Sequence, residues 1–192
     1  HLSTHSRFVD VLTPAFIALL YKSAPLHDIG KVGIPDHILL KPGPLSAEEY
    51  GRMQTHTTLG HQALVCAEQR LGTEVEFLSM AKDIALYHHE KWDGSGYPCG
   101  LRGEAIPLSA RLMALADVYD ALISRRVYKS GMSHEAAARI LRDGRASHFD
   151  PDVVDAFFSL QAEFAAIARQ FADGETDLAT TGHTAVGRVS IP

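Results

Sequence analysis

Between residues 88 and 98 the chain reads His-His-Glu-Lys-Trp-Asp-Gly-Ser-Gly-Tyr-Pro. It sets two adjacent imidazoles and two carboxylates directly before a glycine-rich turn. A His-His pair alone is most often a surface doublet. Here His27-Asp28, His56 and Asp117 stand on other predicted helices that can converge on it. Histidines and aspartates meeting from several helix faces are how helical proteins build metal sites. The chain must therefore fold so that separated helices reach one point.

At 192 residues and 46% hydrophobic side chains, the chain suits one domain with a real core. Aromatics supply only 8%, alanine and leucine abound, and β-branched runs are few, so the composition points to an all-α fold. A net charge of -5 excludes a general binder of nucleic-acid polymers, which carries a basic surface. A small anionic substrate stays compatible with that charge where metals and a few lysines and arginines reverse the sign in one cleft. Cys66 and Cys99 offer neither metal spacing nor a disulfide framework, and suit a reducing cytoplasm. No signal peptide or apolar run of membrane-spanning length is present, and the opening His1-Leu2-Ser3 is expected to be the middle of a longer protein.

Residues 1–12 read as the end of one element and a loop, with His1 and His5 solvated. Thr13-Pro14 starts a helix with Phe16, Ile17, Leu20 and Ala24 on its apolar face and His27 on the continuation. Pro25 implies a kink just before His27-Asp28-Ile29-Gly30-Lys31. There His27 can ligate one metal while Asp28 bridges to a second, and Lys31 can point at whatever the metals hold. A capping box from Ser46 to Glu49 opens a helix expected to reach about Gln69. Met53, His56 and Gly60 share one of its faces, so His56 is a ligand candidate and His61 an exposed polar position.

Residues 74–88 form the next helix, with Leu78, Ala81 and Ala85 leading to His88 on the inward side and His89 one step round. Gly94 and Gly96 permit close backbone approach to a ligand, Tyr97-Pro98 presents an aromatic face, and Trp92 reads as a packing anchor. Pro107 begins a helix through Ser124, on which Ala110, Met113, Ala114, Asp117 and Ala121 share a face. A carboxylate buried there without a partner costs several kcal/mol, so Asp117 needs a metal or a cation; Asp120 can support a neighbouring ligand. Arg125, Arg126 and Lys129 form a basic cluster, either a solvated helix end or a grip on phosphate or guanine. Helices from Ser133 to Leu141 and from Asp150-Pro151 to about Phe171 follow, the last with Val154, Phe157, Phe158, Leu160, Phe164 and Ile167 on its core face. His134 and His148 read as structural. Residues 1–172 form the domain, and 173–192, rich in Gly, Thr and Asp, are expected to be a disordered tail.

Together these stretches resemble the HD-GYP family, a branch of the HD phosphohydrolase superfamily, and are similar to its response-regulator type over about residues 10–172. The matching text is His27 through Pro35, Leu39 through Gly43, His88 through Pro98, Asp117 through Leu122, and the turn His148-Phe149-Asp150-Pro151. The resemblance implies an HD-type helical bundle with a metal centre between helices, holding two and sometimes three metals, usually iron or manganese. It implies hydrolysis of cyclic di-GMP to pGpG and in some members on to GMP, as the output domain of a bacterial signalling protein. By position, His27, Asp28, His56, His88, His89 and Asp117 would be ligands, Asp28 bridging. Lys31 would touch the scissile phosphate, Arg126 and Lys129 would hold the substrate, and Gly94, Gly96, Tyr97 and Pro98 would form the loop that names the family. Implied partners are an N-terminal receiver or sensor domain, GGDEF-domain proteins and a second copy of the chain.

The family carries a further ligand histidine in a His-x-x-Arg pattern on an earlier helix. His5-Ser6-Arg7 is only superficially similar and too close to His27, so that helix, with any third-metal Glu, is expected to lie outside this chain. Two other readings remain open: a binding module that keeps the Gly-Tyr-Pro loop without turnover, and an HD phosphohydrolase acting on another nucleotide.

Overall fold

The computed structural model describes residues 1–124 and 131–179. Among them the fold is helical: α1 (Pro14–Ser23), α2 (Asp36–Leu39), α3 (Ala47–Gln54), α4 (His56–Leu71), α5 (Glu76–Tyr87), α6 (Leu108–Ile123), α7 (His134–Asp143), α8 (Pro151–Ser159) and α9 (Gln161–Ala179). The sole β pairing among the described residues is an isolated bridge between Arg145 and Phe149. No helix there is long and apolar enough to cross a membrane.

Local chemistry sets the boundaries. Thr13 caps α1 by accepting the Phe16 amide, with Pro14 in the first turn. Ser46 and Glu49 cap α3 reciprocally. Gly72 ends α4 in the left-handed region at φ 69°, where a side chain would be strained.

Two expected helices are each broken in two. The helix from Ser46 to Gln69 is interrupted at Thr55, between α3 and α4. The hydroxyls of Thr55, Thr57 and Thr58 donate to the carbonyls of Arg52, Gln54 and Thr55, and His56 Nδ1 takes the Met53 carbonyl. Side chains that bond the preceding turn compete with the helical ladder and bend it there. The helix expected from Asp150 to Phe171 breaks at Leu160, whose φ of -120° leaves the helical region. That break resets the phase of α9, so Ile167, expected in the core, is half exposed at 52%. Ile17, expected on the inner face of α1, is likewise exposed. The buried residue there is Ser23, whose Oγ donates to the Phe77 carbonyl. α9 extends to Ala179, past the expected domain end; residues 180–192 lie outside the described residues.

Three apolar clusters frame the centre of the molecule. Leu115, Tyr119, Leu141, Val154 and Phe157 join α6, α7 and α8. Leu64, Leu78, Ala81 and Ala85 join α4 to α5. Ile34, Ile38 and Met53 hold α2 against α3. Between them, the 3-10 segment Ile29–Gly33 lies directly on α4. A Cβ on Gly30 would fall 1.9 Å from the His56 carbonyl oxygen and 2.4 Å from the Gly60 nitrogen, so only glycine permits this approach. The contact carries His27-Asp28 up to His56.

Gly30→Ala should therefore destabilise the fold by about 3 kcal/mol or more, because backbone on both sides must shift. Gly51→Ala, at a helical position with open space around it, should stabilise by roughly 0.5–1 kcal/mol. Urea unfolding of the two variants measures the contrast; equal midpoints would contradict it.

Candidate metal centre

The structure brings His27, Asp28, His56, His88, His89 and Asp117 together from four stretches. His27 and Asp28 leave the 3-10 turn Ala24–Leu26, His56 opens α4, His88 ends α5, and Asp117 lies mid-way along α6. His56 Nε2 is 3.5 Å from His88 Nε2 and 3.5 Å from Asp28 Oδ1. His88 Nε2 lies 3.9 Å from the same oxygen. On the other side His27 Nε2 is 3.3 Å from Asp28 Oδ2 and 3.6 Å from Asp117 Oδ1. His89 packs its ring on that of His88 at 4.0 Å and on that of His56 at 5.0 Å between centroids. One nitrogen each of His56, His88 and His89 fall within 4.8 Å of one another.

Three of the four imidazoles are oriented by a carbonyl near a helix end. Nδ1 of His27 bonds Ala24 at 2.9 Å, that of His56 bonds Met53 at 2.7 Å, and that of His88 bonds Ile84 at 2.9 Å. A carbonyl only accepts, so Nδ1 carries the hydrogen and, in the neutral ring, Nε2 turns a lone pair inward. The lone pairs of His56 and His88 face Asp28 Oδ1, a buried oxygen without a hydrogen-bond partner. Lone pairs at such distances with no proton between them repel, and a cation among them removes the conflict. The mixed imidazole and carboxylate set fits a divalent transition ion.

The electrostatics match this description. Burial lowers the pKa of His56 and, with the neighbouring His27 and His56, pulls that of His88 down to about 4. His89 is pulled well down by burial and by His88. In His27 burial acts the same way, but Asp117 and Asp28 outweigh it and push the imidazole up to about 10. Burial raises Asp28 too, yet His27 and Lys31 hold it far below the usual carboxylate range. Asp117 stays low because His27 overcomes its burial. Lys31 Nζ donates to Asp28 Oδ2 at 2.5 Å.

The loop after His89 closes over this cluster. The Tyr97 amide donates to the His89 carbonyl at 3.2 Å, and the Tyr97 ring stacks on the His89 ring at 4.9 Å. Tyr50 meets Tyr97 edge-on. Gly94 sits at φ 84°. Gly96 presses on the Glu90 backbone, where a Cβ would lie 2.3 Å from the Lys91 nitrogen. Trp92 is a packing anchor as expected: the guanidinium groups of Arg7 and Arg111 both lie over its ring. Its amide donates to the His148 carbonyl.

Other expectations meet mixed outcomes. Asp120 is exposed and accepts from Ser124 Oγ at 3.3 Å. His134 bonds the Tyr119 hydroxyl and His148 stacks on Phe149, both outside the cluster. His1 and His5 line a small cleft beside Asp152 and Asp155 on α8. Arg126 and Lys129 lie outside the described residues.

Two groups escaped the sequence reading. The carboxylate of Glu90, fully buried, accepts the Cys99 amide at 2.7 Å and the Leu101 amide at 2.9 Å. Its place in the motif was visible, but its partners are main-chain groups and leave no side-chain signature. Arg111 donates to the buried Asp150 at 2.6 Å and ties α6 to α8; an arginine amid the alanines and leucines of α6 was the available signal.

Residues 12–153 match the model of the HD domain family. The chain belongs to that family. Within it, His27-Asp28 together with the run from His88 to Pro98 makes this an HD-GYP domain. A cyclic di-GMP phosphodiesterase of Vibrio cholerae is 60% identical over 173 residues, covering 90% of this chain and 35% of that protein. A cyclic di-GMP phosphodiesterase of Thermotoga maritima is 42% identical over 165 residues, 86% of this chain and 43% of that one. A 3'3'-cGAMP-specific phosphodiesterase of Vibrio cholerae is 43% identical over 155 residues, 81% of this chain and 28% of the relative. The chain thus spans well under half the length of these relatives.

A metal bound through His27 would displace the proton that this imidazole holds up to a pKa of about 10. At neutral pH, loading should release about one proton per chain, and apparent affinity should climb as pH rises towards that value. Calorimetry with manganese in buffers of different ionisation enthalpy reads both. Asp28→Asn and His88→Ala should each lower retained metal severalfold with the helical circular dichroism kept.

Proposed function

We propose that this domain is a metal-dependent phosphodiesterase that opens cyclic di-GMP to pGpG, with GMP as a further product. The observation that carries the reading is the placement of Asp28. Its Oδ2 faces His27 at 3.3 Å and its Oδ1 faces His56 at 3.5 Å, the posture of a carboxylate shared by two cations. Iron or manganese suits the donor set, His27 and Asp117 on one side and His56, His88 and His89 on the other. When bound, two such ions lower the pKa of a water and neutralise charge growing on the phosphoryl oxygens.

This chain's residues would supply position and charge. Lys31, held beside the centre by Asp28, can donate to a non-bridging oxygen of the scissile phosphate once Asp28 is engaged by metal. In this reading it would also serve as the proton donor to the leaving sugar oxygen. Gly94, Gly96, Tyr97 and Pro98 form a wall over His89 that excludes water from one side of the cleft. Arg126 and Lys129 would grip the second phosphate or a guanine, an assignment that rests on the family resemblance alone. In this reading the domain is the cytoplasmic output of a response regulator, with a receiver or sensor domain, GGDEF-domain proteins and a second copy as partners.

The relative named for 3'3'-cGAMP favours one competing substrate, which differs from cyclic di-GMP at one base. The test is turnover of both dinucleotides by the chain purified without oxygen and loaded with manganese or ferrous iron, with metal content read in parallel. Linear pGpG formed faster than cGAMP product supports the reading; the reverse order moves the specificity to cGAMP. No turnover of either at full metal occupancy rules out catalysis by the domain. Lys31→Met should cut kcat by about a hundredfold or more with metal retained, because it removes transition-state charge stabilisation and no ligand.

A further inference from the structure

The residue after the two histidines does more than end a helix. Glu90 is 2% exposed, yet its side chain is paired with no cation among the described residues. Both oxygens are spent on main-chain donors from the far limb of the loop, Cys99 N–H and Leu101 N–H. A carboxylate so buried is costly unless fully hydrogen-bonded, and charge-assisted bonds to N–H groups are the strong kind. The near limb is fixed to the same place: Gly96 lies against the Glu90 backbone, and the Tyr97 amide bonds the His89 carbonyl. The loop is therefore closed by one side chain whose neighbour, His89, faces the cluster. Tyr97 lies inside the closed span, stacked on that imidazole.

We propose that Glu90 is a positioning residue, a clamp that holds the Tyr97 loop over His89 and so shapes the substrate side of the cleft without contacting metal or substrate. The consequence for substrate rests on the phosphodiesterase reading above; the clamp itself does not. Loss of the clamp leaves the three Nδ1-anchored histidines in place, since their partners are Ala24, Met53 and Ile84. It frees the wall that contacts the dinucleotide. The defect should fall on KM and spare kcat and metal content.

Glu90→Gln is the informative change, because the amide keeps the volume and one acceptor but opposes an N–H donor to one of the two loop amides. In the metal-loaded chain, hydrogen exchange should quicken in the peptide spanning 91–103 and stay unchanged in α4 and α5. KM for cyclic di-GMP should rise about tenfold, with kcat within about twofold and metal content as in the unsubstituted chain. Glu90→Asp, which keeps the charge but retracts it, should show the same pattern if its shorter reach loses the amides, and guards against a misfolding Gln variant. Unchanged exchange across 91–103 in both variants overturns the clamp. A fall in kcat that tracks lost metal overturns it too, because Glu90 would then serve the ligands. A loosened loop with unaltered KM refutes the link to substrate. Should the unsubstituted chain turn nothing over, the phosphodiesterase reading fails by itself, and exchange together with metal content still decides the clamp.

Discussion

Three histidines of the centre are held by carbonyls near the ends of short helices, and the arrangement depends on where those helices stop. A helix end leaves carbonyls without ladder partners. His27 takes the one at Ala24, His56 the one at Met53, and His88 shares Ile84 between its own amide and its ring. One bond thus fixes the tautomer and aims the other nitrogen inward. The break at Thr55 has the same logic. There the His56 ring and the threonine hydroxyls bond the carbonyls at the end of α3, where the chain restarts as α4.

The centre concentrates groups that a stable core avoids. Buried imidazoles lose affinity for protons, Asp28 keeps an unpartnered oxygen, and Lys31 must neutralise what His27 does not. A core of alanine and leucine alone would be more stable, and strain of this kind is what functional sites retain. The cost is contained by rigid surroundings. Ala81, Ile84 and Ala85 are fully buried beneath His88, and Gly30 locks the His27-Asp28 turn onto α4.

The elements legible in the sequence were those encoded locally. Thr13-Pro14, the Ser46–Glu49 box and Gly72 announce their boundaries by residue type, and the apolar face of α6 marked Asp117 as a carboxylate in need of a partner. Less legible was anything decided by main-chain partners or by phase. Thr55, Thr57 and Thr58 look like ordinary helix residues until their hydroxyls turn onto the preceding carbonyls. Leu160 gives no sign of a break, and with the phase reset Ile167 leaves the core. Glu90 reads as a third polar residue in a ligand motif; only the path of the loop shows that it serves amides nine and eleven residues on. Sequence periodicity reports side-chain faces, and it is blind to bonds made with the backbone.

An acidic chain suits an anionic substrate only if charge is local. Net charge is -5, and the centre itself contributes Asp28 and Asp117, so without metal the cleft would have little attraction for a dinucleotide carrying two phosphates. With His27 charged and Lys31 on Asp28, the metal-free cluster is near balance. In the proposed reading, divalent ions held by these residues would replace the His27 proton and release Lys31 from its carboxylate, and the cleft would turn positive where a phosphate would lie. Metal loading would then create both the reactivity and the attraction for substrate. The overall acidity of the surface then becomes a filter, because a long polyanion meets repulsion along its length while a compact one meets only the cleft.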